Sequence, residues 1–305
     1  MRSPHLSSFP RLLRAPPRRR TAYIKTPKRL IPLVEEGLVD EVVRQLMSGK
    51  EAIVYVVRCG DEVRCAKVYK EADKRAFRQA VSYTEGRKVK NSRRERAMQK
   101  GTRYGRKEQE AAWQSAEVDA LHQLARAGVR VPQPFNFLEG VLLMELVTDA
   151  EGNAAPRLND IALSPELARE YHGFLIAQVV RMLCAGIVHG DLSEFNVLVG
   201  AEGPVIIDLP QAVNAAGNNA AKAMLERDVT NLATYFGQFA PELLKSDYGP
   251  EIWALYLAGK LSPEAALTGR FVHDTRPVDL HGVMNEIEEV IKDEDRRQRY
   301  RALEQ

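Results

Sequence analysis

Three polar side chains in the second half of the chain have the types and spacing of a group-transfer site: Asp191, Asn196 five positions on, and Asp208. Asp191 sits in the run Ile187-Val188-His189-Gly190-Asp191-Leu192-Ser193-Glu194-Phe195-Asn196, which an apolar pair opens and the strand-like Val197-Leu198-Val199 follows. After a Gly200-Ala201-Glu202-Gly203 turn comes Val205-Ile206-Ile207-Asp208. The segment reads as a loop and a hairpin that aim the three groups at one point. Phosphoryl transfer from a nucleotide needs such a set: one carboxylate to accept the proton of the incoming hydroxyl, and an amide with a second carboxylate to hold the metal that bridges the phosphates. An Asp and an Asn in a surface loop are common on their own. The second Asp, at the end of a buried strand and in the right chain order, favours the site.

The Asp-to-Asn spacing is that of a protein-kinase catalytic loop, and a cation for the phosphates is then expected upstream. Lys67 lies on the second strand of an apparent hairpin, residues 51–57 and 62–69 around Cys59-Gly60-Asp61. The turn that opens it, Ser48-Gly49-Lys50-Glu51-Ala52, can present backbone amides and Lys50 to phosphates. It has one Gly, and so fits neither a G-x-G-x-x-G loop nor a Walker A loop. A helix over residues 107–126 carries Trp113, Ala116, Ala120, Leu121 and Leu124 on one face, with Glu117 in the middle of that stripe. A carboxylate there is costly unless a cation meets it, and Lys67 is the candidate. Residues 135–138 and 141–147 read as a strand pair turned at Glu139-Gly140, and its exit is where two lobes would hinge. By order along the chain, backbone groups of Glu145 and Val147 would read an adenine edge.

The elements that must hold these groups follow from periodicity. Leu38, Val39, Val42, Val43 and Leu46 recur at helical spacing, so residues 33–47 are expected to form one amphipathic helix. Residues 164–185 are expected to be the core helix beneath the catalytic loop, with Ser164 as N-cap and Pro165 at the first helical position. A helix is expected over residues 220–239, followed by two or three amphipathic helices from Pro250 on. Ala240-Pro241-Glu242 reads as a helix end followed by Pro. His122 and His172 have no metal-ligand spacing and read as packing or surface histidines.

The 305 residues suffice for a two-lobed fold with a sizeable core. No apolar run approaches the roughly 18 residues of a membrane span, and three cysteines give neither a disulfide framework nor a zinc pattern. Reduced thiols and a cytoplasmic setting are expected. The net charge of +3 is unevenly spread: residues 1–30 hold nine basic side chains and no acid. Residues 87–107 hold ten basic side chains against Glu95 alone and are expected to form a mobile loop. Arm and loop suit RNA phosphates or another polyanion; a solvated tail and loop is the plainer alternative.

The sequence as a whole resembles the RIO family of atypical protein kinases over roughly residues 47–239. The resemblance rests on Ser48-Gly49-Lys50-Glu51-Ala52, Ala66-Lys67-Val68-Tyr69, Ala127-Gly128-Val129-Arg130-Val131-Pro132, the loop from His189 to Asn196, Ile207-Asp208, and Leu225-Glu226-Arg227-Asp228-Val229. It is similar to bacterial members and to the first RIO subfamily. The resemblance implies an α+β, two-lobed protein-kinase-like fold: a basic arm (residues 1–32), a small β-rich N-lobe (33–147), a mostly helical C-lobe (148–245) and a helical extension (246–305). It implies phosphorylation of serine or threonine in a protein substrate, or ATP hydrolysis, with ATP and Mg2+ or alternatively Mn2+. Position by position, Asp191 would accept the proton, Asn196 and Asp208 would bind the metal, and Lys67 would contact phosphates and pair with Glu117. Ser48, Gly49 and Lys50 would form the phosphate-facing turn, and Asp208 is a candidate aspartyl-phosphate site. Ribosome or RNA contact would fall to the basic arm and loop, and no membrane is involved. Gly190 stands where ordinary protein kinases carry an Arg, and Leu209-Pro210 where they carry Phe-Gly, so no activation-loop switch is expected. Two other readings stay open: a small-molecule kinase of the aminoglycoside-phosphotransferase kind, whose loop also begins His-Gly-Asp, and an RNA- or ribosome-binding factor using ATP as a switch.

Overall fold

The computed structural model describes residues 25–49, 51–70 and 103–272, with backbone alone for 103–113. The chain divides into two units, residues 1–269 and 270–305. In the second unit the described residues, 270–272, carry no regular secondary structure. Lys50, residues 1–24, most of the basic loop, the Trp113 side chain and any helices beyond residue 272 lie outside the described residues.

Among the described residues, five antiparallel strands make one sheet: β1 (Glu41–Ser48), β2 (Ala52–Cys59), β3 (Glu62–Tyr69), β4 (Pro134–Leu138) and β5 (Val141–Glu145), in the order β1-β2-β3-β5-β4. The hairpin expected around Cys59-Gly60-Asp61 is β2–β3, and Lys67 is paired with Val54 on one side and Leu142 on the other. Side chains alternate across a sheet. Ala66, Val68, Tyr55, Val57, Val141 and Leu143 therefore share one face with Val42 of β1, and Leu30, Leu33 and Val39 pack in the same cluster. Tyr69 and Leu142 belong to the other face and join a core with Val118, Leu121 and Leu124 of α2 (Arg103–Arg126). Lys67 lies on this second face, turned toward α2.

The helix expected over residues 33–47 is not there. A short helix, α1 (Ile31–Glu35), follows a 3-10 turn at Lys28–Leu30 and stops before Gly37, whose φ is +68°. The chain then extends into β1. The cause is visible in the pairing: β1 meets β2 with two register shifts, between Val42 and Arg44 and between Gln45 and Met47. Each bulge breaks the alternation of a strand, here beyond Val42, while Val39 precedes the strand, so its burial three residues before Val42 follows no strand period and looks helical in sequence. The basic loop also ends earlier than expected. Residues 103–107 are already the first turns of α2, because Arg, Lys, Glu, Gln and Ala are good helix formers and one Gly is tolerated among them.

The second lobe is built on α3 (Pro165–Cys184) and α4 (Ala221–Phe236). Ser164 caps α3, its side chain accepting from the Leu167 amide at 3.2 Å, with Pro165 in the first turn. Leu175, Val179 and Leu183 of α3 and Leu225, Val229, Leu232 and Phe236 of α4 form its core. Short strands cross the top: β6 (Ile187–Val188) pairs with β9 (Val213–Asn214), and β7 (Val197–Gly200) with β8 (Gly203–Ile206). α4 ends at Phe236, and Ala240-Pro241-Glu242 lies at the 3-10 turn Pro241–Lys245 that follows it. α5 (Tyr248–Leu257) completes the described helices. None of them is long and apolar enough to cross a membrane. All three cysteines are free thiols.

Candidate active site

The loop between β6 and β7 carries Asp191 and Asn196, and one buried carboxylate holds it. Asp228, on the core face of α4, accepts from the amides of Gly190 at 2.8 Å and Leu192 at 3.0 Å, the two neighbours of Asp191. Burial pushes the Asp228 carboxyl from 3.8 up to about 6, against the pull of the two amides. Gly190 has φ +80°, and a Cβ there would lie 2.7 Å from the Gln211 carbonyl oxygen. Glycine is thus required twice over, by conformation and by space. Arg227 adds a guanidinium bond to the Gly190 carbonyl, and the Asn231 amide donates to the Leu192 carbonyl at 3.1 Å.

Two more contacts aim the side chains. His189 Nδ1 accepts from the Asp191 amide at 3.3 Å, and Nε2 lies 3.1 Å from the Ile207 carbonyl. This pattern assigns a neutral ring with the proton on Nε2. Asn196 donates Nδ2 to the Asp191 carbonyl at 2.9 Å, a bond that does not use its Oδ1. Gln211 Nε2 donates to Asp191 Oδ2 at 3.3 Å.

Asp208 lies two residues beyond β8, not on the strand, with φ +68°. This left-handed conformation is rare for a residue with a side chain, and it lets the carboxylate leave the strand direction and meet the other lobe. Lys67 Nζ is 2.9 Å from Asp208 Oδ1 and 2.6 Å from Glu117 Oε1. Glu117 is only 4 % exposed, as the sequence pattern required of a carboxylate with a cationic partner. Its second oxygen accepts from the Tyr69 hydroxyl at 2.7 Å. Burial pulls the Lys67 amine down, yet Glu117 and Asp208 outweigh it and hold it well above the ordinary lysine value. Burial raises the Asp208 carboxyl, but Lys67 more than offsets this and keeps it below the usual range. Lys67, Glu117, Leu142, Met144, Asp208 and Leu209 line a small cavity of about 30 Å³ behind this junction.

Ser48 and Gly49 stand exposed at the turn into β2, with the Gly49 amide bonded to the Ala52 carbonyl at 2.9 Å. Lys70 Nζ donates to Ser48 Oγ at 3.2 Å and to the Gly49 carbonyl at 2.6 Å. Glu51, on the same turn, has its carboxyl raised by burial and by Asp208 above all, with Lys67 acting the other way. At the strand exit, the Glu145 amide is already bonded to the Gln133 carbonyl at 2.8 Å, and the Val147 carbonyl accepts from Ala155 at 2.9 Å. These two bonds do not use the Glu145 carbonyl or the Val147 amide.

Lys67, Glu117 and Asp208 are thus in direct contact, and Asp191 and Asn196 share one loop. Sequence reasoning missed Tyr69, Gln211 and the role of Asp228. For Asp228 a signal existed: an acid between Leu225, Val229 and Leu232 on the apolar stripe of its helix, the same signal that exposed Glu117.

These groups belong to the region matched by a family model described as the RIO domain, residues 53–248. The chain therefore belongs to the RIO family, and its β-rich and helical lobes are the two lobes of a protein-kinase-like α+β fold. The RIO-type serine/threonine-protein kinase Rio1 of Haloferax volcanii is 35 % identical over 207 residues, 67 % of this chain and 66 % of that protein. The serine/threonine-protein kinase rio1 of Schizosaccharomyces pombe is 30 % identical over 214 residues, 68 % of this chain and 40 % of that protein. The chain thus spans just under two thirds of the first relative and two fifths of the second. A solved complex of Rio2 kinase with ADP/Mg2+ and phosphoaspartate, from Chaetomium thermophilum, aligns with a TM-score of 0.49 at 19 % identity, covering 76 % of this chain and 72 % of that one.

Proposed function

We propose that the protein is an ATP- and Mg2+-dependent serine/threonine protein kinase of the RIO type, with autophosphorylation or ATP hydrolysis among its activities. One observation carries the reading: a strand lysine bonded at once to a helix carboxylate and to Asp208, beside a loop that presents Asp191 and Asn196. An amine held charged by two acids suits a polyphosphate. The donor chemistry also fits the metal. Asn196 spends its amide nitrogen on the loop and keeps a carbonyl oxygen, Asp208 is held ionised by Lys67, and hard oxygen donors with few protein ligands suit Mg2+ completed by phosphates. Bound there, the ion would offset charge developing on the transferred group.

In this reading Lys67 orients the phosphates, and Glu117 and Tyr69 fix Lys67. Asp191, exposed and oriented by Gln211, accepts the hydroxyl proton. Ser48 and Gly49, with Lys50 outside the described residues, cover the phosphates. The Glu145 carbonyl and Val147 amide read the adenine edge. Transfer to Asp208 itself would break the bond from the γ-phosphorus to the bridging oxygen, release ADP and leave an acyl phosphate. The lobe boundary at 147/148, the extension from residue 246, the likeness to the first RIO subfamily and any RNA or ribosome contact through the basic arm and loop belong to the same proposal. The protein partner is one that offers a serine or threonine hydroxyl.

The test is incubation with γ-labelled ATP and Mg2+, alone, with basic proteins and with aminoglycosides. Acid-stable label on protein supports the serine/threonine reading, and hydroxylamine-labile label points to Asp208. Label on the aminoglycosides alone would favour the small-molecule kinase, and no transfer or hydrolysis at all would refute both.

A further inference from the structure

Arg130, on the connector between α2 and β4, bonds to both lobes, one through its main chain and the other through its side chain. Its main chain is tied to the helical lobe. The amide donates to Gln178 Oε1 at 2.9 Å, and Gln178 is 2 % exposed within α3. The carbonyl accepts from the Ile206 amide at 2.9 Å, two residues before Asp208. Its side chain is tied to the nucleotide side. The guanidinium meets both oxygens of Glu145, at 2.9 and 2.8 Å, a bidentate fork that a lysine cannot reproduce. Glu145 Oε2 also accepts from the Gln133 amide at 3.0 Å, so the carboxylate has no freedom to swing.

We propose that Arg130 is a positioning residue for nucleotide base recognition: by locking Glu145 to α3 and β8, it sets where the Glu145–Val147 exit stands relative to Asp208. This rests on the kinase reading above. The pair is about one-third exposed on each side, 31 % and 29 %, so its strength in water is modest and its value lies in fixing geometry. It keeps its charge: hydrogen bonding to Glu145 raises the arginine, and the same contact outweighs burial in lowering the glutamate. A misplaced exit should hurt contacts to the base and spare contacts to phosphate, which Lys67 and Asp208 make from other elements.

The experiment separates the two halves of the nucleotide. Dissociation constants for adenosine and for Mg2+-tripolyphosphate are measured on the full chain for wild type, Arg130→Met, Arg130→Lys and the reversed pair Arg130→Glu/Glu145→Arg, with thermal melting alongside. Arg130→Met should weaken adenosine about tenfold and tripolyphosphate less than about twofold. Arg130→Lys should weaken adenosine about threefold, and the reversed pair should recover part of the Arg130→Met loss. If Arg130→Met fails to fold, the lysine variant carries the same comparison. Equal weakening of both probes, or no change in adenosine, would overturn the inference alone. A folded wild type that binds neither probe would remove the kinase reading, and this inference with it.

Discussion

Replacing Asp228 by Asn removes the acceptor from which the loop carrying Asp191 hangs. The carboxylate takes two buried amides, those of Gly190 and Leu192. The Asn carbonyl can keep one, while its own amide group would face the other as donor against donor. Losing a charge-assisted bond and stranding a buried N–H costs about 3–5 kcal/mol. Set against this is a relief. The carboxyl titrates at about 6 instead of 3.8, so its ionised form is roughly 3 kcal/mol worse in the fold than in the unfolded chain. At pH 7.5 the net loss should be about 0–2 kcal/mol.

The sign with pH follows from the raised value. A carboxyl whose folded pKa lies above its unfolded one contributes stability below pH 3.8 and loses it as pH rises through about 6. Wild type therefore gains from this group on acidification and Asp228→Asn does not. The gap between them should widen by about 1.4 kcal/mol between pH 7.5 and 5. Urea unfolding followed by circular dichroism at the two pH values reads this directly. Phosphoryl transfer should fall about 10- to 100-fold through displacement of Asp191. A gap that narrows at pH 5, or transfer unchanged in a folded variant, would refute the assignment of Asp228 as the buried anchor.

Asp191→Asn, at an exposed position, should cost about 100- to 10,000-fold in kcat for transfer with the melting temperature unchanged, measured with labelled ATP. Glu117→Gln should destabilise by about 2–4 kcal/mol, less than a fully broken buried pair because Asp208 still meets Lys67, and should raise the KM for ATP; chemical denaturation and initial rates check both. His172 is buried with Nε2 unpartnered, and burial lowers its pKa from 6.5 to about 4. Its contribution is present above pH 6.5 and lost as pH falls through about 4, opposite in sign to that of Asp228. His172→Phe, packed on Phe236 and Tyr248, should flatten that loss, which is roughly 3 kcal/mol when complete, in melts across the acid range.

What could be read in advance was whatever the chain writes locally. Asp191 and Asn196 share a loop, and Glu117 betrays itself as an acid on an apolar stripe. Ser164-Pro165 is a capping signal that α3 obeys. What could not be read depends on partners far along the chain. β1 is a strand because β2 pairs with it, and its two bulges disguise the alternation that would have revealed it. Arg130 and Glu145 look like surface charges until the connector brings them together. Gln211 matters only because the turn after Asp208 returns it to Asp191. The positive φ of Asp208 is likewise not written locally, since most Asp residues have negative φ.

The central claim is that Lys67, Asp208, Asn196 and Asp191 surround the phosphates of a single nucleotide. Titration calorimetry of the full chain with ATP, with and without Mg2+, tests it most directly, compared across wild type, Lys67→Met and Asp208→Asn. One ATP per chain is predicted for wild type, weakened by Lys67→Met, with the gain from Mg2+ lost in Asp208→Asn. Wild-type binding that is indifferent to Mg2+ and to both substitutions would contradict it.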